Sequence, residues 1–136
     1  MKRWHLAWVG GALFGAACAA AVAAAEAPVS PQEAGQVVAV TDLNVESGIV
    51  SASLVNRSPH EVRDVRLLIR HAWVWRDERH PGKDTPGTAE YYIVHNTIPP
   101  GQSLRITQTP SPPLPQRSDG HFETSVEVAG FEEVGE

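Results

Sequence analysis

The feature that most constrains this chain is a period of two. From Val62 to Arg76, Val65, Leu67, Ile69, His71, Trp73 and Trp75 share one face, and Arg66, Leu68, Arg70, Ala72, Val74 and Arg76 share the other. Successive side chains on a strand point to opposite sides of a sheet, so the pattern specifies a strand with a core side and an arginine-bearing side. The same period recurs in Gly48–Asn56, where Val50, Ala52 and Leu54 oppose Ile49, Ser51, Ser53 and Val55. It recurs again in Gly120–Phe131, where Phe122, Thr124, Val126 and Val128 oppose His121, Glu123, Ser125 and Glu127. Further strands are expected at Val37–Asn44, Ala89–His95 and Ser103–Thr109, the last with Leu104 and Ile106 inward. No window keeps apolar residues at i, i+3, i+4 and i+7 for two turns without a breaker, so no helix is expected.

Turn chemistry separates these runs: Asn56-Arg57-Ser58-Pro59-His60, then Pro81-Gly82 and Pro86-Gly87, then Pro100-Gly101. Pro110–Asp119 is too proline-rich for a central strand. Within it, Pro110–Pro115 reads as a stiff connector shielding a sheet edge, with presentation to an aromatic groove on a partner as the other reading. The expected fold is all-β: an antiparallel β-sandwich, immunoglobulin-like or fibronectin-III-like, with six to seven strands.

Residues 1–25 read as a signal peptide. Lys2 and Arg3 precede a stretch, Leu6–Ala25, that lacks charge and ends in Ala23-Ala24-Ala25 before Glu26. Its alanine and glycine content argues against a retained membrane anchor. Cys18, the single cysteine, follows Gly15-Ala16-Ala17 and precedes an alanine-rich run, so it reads as a leader residue and not as a lipidation site. Residues 26–36 are expected to be a flexible lead-in, 37–132 the sandwich domain and 133–136 a tail. The expected location is the periplasm or the exterior. The net charge of −5 is unsuited to nucleic acid or anionic membranes. No disulfide can staple the domain, so burial must hold it.

The segment Gly48-Ile49-Val50-Ser51-Ala52-Ser53-Leu54-Val55-Asn56-Arg57-Ser58 resembles the opening of FxLYD-type domains of bacterial cell-envelope proteins. Val65, Leu67 and Ile69 match the aliphatics of their next strand, and Pro100-Gly101-Gln102-Ser103-Leu104 matches a later Pro-Gly and strand. The similarity spans about Gly48–Val128. The chain departs from the family where His71-Ala72-Trp73-Val74-Trp75-Arg76-Asp77 replaces a Leu-Tyr-Asp strand end. The resemblance implies a sandwich module without known catalysis.

The densest cluster of chemistry runs from Trp73 to Gly87 and continues to Tyr91 and Tyr92. Indole rings supply rigid contact area and a donor, and arginine supplies directional hydrogen bonds. Trp75, Arg76, Arg79, His80, Lys83 and Tyr92 are therefore the candidate binding residues, for another envelope protein or a glycan. The competing role for Trp73 and Trp75 is core packing, with Trp75 the more exposed of the two. A metal-handling protein using zinc or copper is the alternative, with His80, His95 and His121 as ligands, although no histidine pair has a tight motif spacing. A small secreted hydrolase is a third reading. No G-x-S-x-G elbow or phosphate-cradling glycine loop supports catalysis, and no cofactor is implied.

Overall fold

The computed structural model describes residues 30–135. The leader, its cleavage site and Cys18 lie outside the described residues. Six strands follow one short helix: α1 (Pro31–Val37), β1 (Val38–Glu46), β2 (Ile49–Asn56), β3 (Glu61–Trp75), β4 (Thr88–Val94), β5 (Ser103–Gln108) and β6 (Gly120–Val134). They form two antiparallel three-stranded sheets, ordered β1-β2-β5 and β4-β3-β6. The fold is an all-β sandwich, as the alternation requires.

Each inward row closes on the other sheet. Val50, Ala52 and Leu54 of β2, Ile106 of β5, Val65, Leu67 and Ile69 of β3, Val94 of β4 and Val128 of β6 are buried in one core. Burying a side chain of this size stabilises by about 1.5–3 kcal/mol against leaving it in water.

Two features depart from strict alternation. Val62 and Val65 are both buried although they are an odd number of residues apart. The ladder with β6 shifts register between Arg63 and Arg66, and Asp64 sits there at φ 48°. The extra residue of this bulge restores both valines to the core side. A second shift lies between Thr41 and Asn44 of β1, with Asp42 at φ 52°. Aspartate tolerates the left-handed region better than most residues.

The lead-in and the tail differ from expectation. Residues 31–37 form α1, which takes up the end of the 26–36 stretch expected to be flexible and also Val37, expected to open the first strand. Ser30 and Glu33 build a reciprocal capping box, Pro31 opens the first turn, and Ala34 is fully buried. A helix this short cannot display two turns of apolar periodicity. At the other end β6 runs to Val134, pairing with Glu61. Residues 133 and 134 are therefore strand and not tail.

Asn56 organises the end of the sandwich beside α1. It is fully buried. Its Nδ2 donates to the carbonyls of His60 (2.7 Å) and Ile98 (2.9 Å). Its Oδ1 accepts from the backbone N–H and the hydroxyl of Ser58 (2.9 and 2.8 Å). The β2–β3 turn is thereby fastened to the β4–β5 connection.

Candidate functional site

β3 ends where β6 begins: Trp75 pairs with Gly120, and Trp73 with Phe122. Trp73 and Trp75 lie on the inward face, as the period places them, but beyond the last core layer. Both are half-buried. Their rings meet edge to face with centroids 6.0 Å apart, and Phe122 meets Trp73 at 4.7 Å. These aromatics close the end of the sandwich that lies opposite Asn56.

The residue that completes this cluster is Arg117. Its guanidinium lies over both indole rings, 5.4 Å from each centroid. It is ion-paired with Asp119, and its Nη1 donates to the Asp84 carbonyl at 3.2 Å. The hydrogen bond from Arg117 holds the Asp119 carboxyl below the usual carboxylate range. Arg117 thus clamps the β5–β6 connector to the β3–β4 loop. A cation over an indole contributes about 0.5–1 kcal/mol at an exposed site. Sequence reasoning missed Arg117 because it lies far from the tryptophans along the chain. The available signal was Arg117-Ser118-Asp119-Gly120, a charged turn leading into the strand that pairs with Trp75.

Two glycines make room for the rings. A Cβ on Gly82 would stand 2.7 Å from the Trp75 ring. One on Gly120 would stand 2.7 Å from the Trp73 ring and collide with the Val74 carbonyl. Trp75 is therefore held between the loop glycine and Arg117, and is not a bare platform.

Trp75, Arg76, Asp77, His80, Gly82, Ser118 and Asp119 line a shallow hollow. Asp77 shapes its rim. One carboxylate oxygen accepts from the Arg79 N–H (3.1 Å), and the other meets His80 Nδ1 (2.9 Å). The Arg76 N–H donates to the Asp119 carbonyl (2.9 Å), tying the two loops at the hollow's base. Arg76, Arg79 and Lys83 are exposed, and no salt bridge involves their side chains among the described residues.

Five of the six candidate residues thus belong to one end of the molecule. Tyr92 does not adjoin them. It pairs with Leu67, eight residues before Trp75, which is about 26 Å along the strand. There it is half-buried against the core.

The three candidate metal ligands do not converge. His80 sits on the tryptophan-end loop with Asp77. His121 leaves the outer face of β6 beside Glu123 (3.5 Å). His95 lies just beyond β4, whose last residue Val94 pairs with Val65, and meets Asp64 at 2.8 Å. Nine residues of β3 separate that level from Val74, the partner of His121, or about 30 Å. Among the described residues no group of three or more His, Cys, Asp and Glu could hold a metal ion.

His71 is buried on the core face and shares a hydrogen bond with Thr124 Oγ1 at 2.7 Å. Burial lowers its tendency to protonate, and the nearby Glu90 charge works in the other direction. It is a buried polar residue on the core face.

Comparison with protein-family models, with curated proteins and with solved structures returns no match.

Proposed function

We propose that this chain is an exported cell-envelope interaction module, in the periplasm or secreted, that captures a protein partner at the tryptophan end and does not catalyse. The observation that carries the reading is the hollow beside Trp75, lined by Arg76, with Arg79 and Lys83 on the same β3–β4 loop; all three stand exposed and without a salt bridge among the described residues of an acidic chain. Exposed cations around a clamped indole suit a partner with carboxylates flanking an apolar contact. The resemblance of Gly48–Val128 to FxLYD-type envelope domains supports the compartment, and the reading of residues 1–25 as a leader supports export. No helix among the described residues is long and apolar enough to cross a membrane.

The test uses Arg76→Ala, Arg79→Ala and Lys83→Ala together, immobilised beside the unaltered chain and exposed to solubilised envelope proteins. Substitutions at exposed positions of this kind shift stability by about 0.5 kcal/mol or less. The triple variant should keep its unfolding midpoint and lose the captured protein. Undiminished capture would overturn the assignment of the site.

A further inference from the structure

Every open sheet has edges that can template another chain, and this sandwich has four. Three carry deterrents. β1 is broken by the register shift at Asp42. β5 is six residues long and exposes Arg105 at its centre. β6 turns Glu123 and Glu127 outward, so a copy of β6 laid beside it would bring like charges together.

β4 has no such guard on its outer face. It is hydrogen-bonded on one side only, to β3. Its outward residues are Ala89, Tyr91 and Ile93, none of them charged, and Tyr91 and Ile93 are 65% and 39% exposed. The proline-rich connector shares a hollow with Thr88, Ala89 and Glu90, at the opposite end of β4 from Val94. The Tyr91–Val94 half is the open part of the edge.

We propose that β4 pairs antiparallel with β4 of a second copy of this chain, centred on Tyr92. A twofold contact needs a surface complementary to itself. Tyr91 and Ile93 flank Tyr92 at equal spacing, so in this register Tyr91 of each copy stands opposite Ile93 of the other. An aromatic facing a β-branched side chain is among the favourable cross-strand pairs. The two exposed apolar residues of the edge cover each other, and no like charges oppose. Arg66, whose guanidinium lies 6.0 Å from the Tyr91 ring centroid, extends the same outer face. The product is one continuous six-stranded sheet. The ladder of β4 with β3 stops at the Thr88–His71 pair, four residues short of Trp75, so the tryptophan ends of both copies stay clear.

A short edge contact buries less surface than a standard stable interface, so the association is weak. Sedimentation equilibrium of the purified chain should show the average mass rising from one chain toward two between about 10 µM and 1 mM. Tyr91→Lys and Ile93→Lys should each hold the mass at one chain throughout that range while retaining the native circular dichroism spectrum. Glu127→Lys, on β6, should still dimerise. As an independent readout, amide exchange at residues 91–94 should slow with rising concentration. A single-chain mass at the top concentration, a dimer that survives both lysine variants, or exchange in β4 that ignores concentration would each overturn the proposal.

Discussion

At the scale of single residues, Asn56 and Arg117 join segments that the chain order separates. Asn56, itself fully buried, uses both side-chain donors and accepts two further hydrogen bonds. Replacing it with alanine removes four hydrogen bonds, although the His60 and Ile98 carbonyls keep the Ser58 hydroxyl and the Val62 N–H as donors. Each such hydrogen bond contributes about 0.5–1.5 kcal/mol net. Asn56→Ala should therefore lose about 2–4 kcal/mol in urea unfolding, with no change in the slope of the transition. A loss under 1 kcal/mol would mean that the corner does not depend on this side chain. Asn56 was legible as a turn former beside Pro59, but its burial was not. Nothing local says that a carbonyl some forty residues later will turn toward it. Arg117 escaped for the same reason: its partners are two indoles and a backbone carbonyl from other segments.

At the scale of elements, strands were legible and the helix was not. A strand announces itself through side-chain alternation, which survives in any stretch of five or six residues. The strands of the structure begin and end within three residues of their expected limits. A seven-residue helix has too few turns to show a period, and its evidence lies in its cap. Ser30-Pro31-Gln32-Glu33 is that signature, and the structure shows both capping hydrogen bonds. Ser30→Ala should destabilise by about 1 kcal/mol, measured as a shift in the denaturation midpoint. No shift would mean that α1 is held by burial of Ala34 alone. The proline-rich connector shows how an element's role depends on what it crosses. Read alone, Pro110–Pro115 fits either a partner's groove or a strap. In the structure it joins β5 of one sheet to β6 of the other and packs Leu114 onto Gly48, where a Cβ would stand 2.7 Å from Leu114 Cδ1. Gly48, at φ 80°, also closes the tight β1–β2 hairpin with Ser47, so two separate demands exclude a side chain there.

At the scale of the whole molecule, stability responds to pH through a buried imidazole. Burial keeps His71 below the ordinary histidine range in the folded state. The unfolded chain then takes up the proton first, at about pH 6.5. The stability that neutral His71 provides is complete above that value and declines as the pH falls through it toward the lower folded value. The thermal midpoint should therefore drop between about pH 7.5 and 5.5, and His71→Gln should flatten that part of the profile. An unchanged slope in the variant would assign the effect to another group. Asp119 acts in a separate window, since its carboxyl lies below the usual range in the fold. Its contribution is present at neutral pH and fades only in strong acid.

The division between what is local and what is collective follows from how each is encoded. Alternation, turn residues and charge balance are properties of neighbouring residues, so the sequence by itself determined an all-β sandwich, its strands and the inward rows of β3 and β5. It also marked Trp75 and the charged loop after it. Only the tertiary structure decided that Arg117 clamps both indoles, that Tyr92 stands about 26 Å from the site it was grouped with, and that three histidines lie apart. Those outcomes depend on which strands pair, in what register and at which end a loop returns. Many loop paths satisfy the same local preferences, and the packing of one aromatic end selects among them.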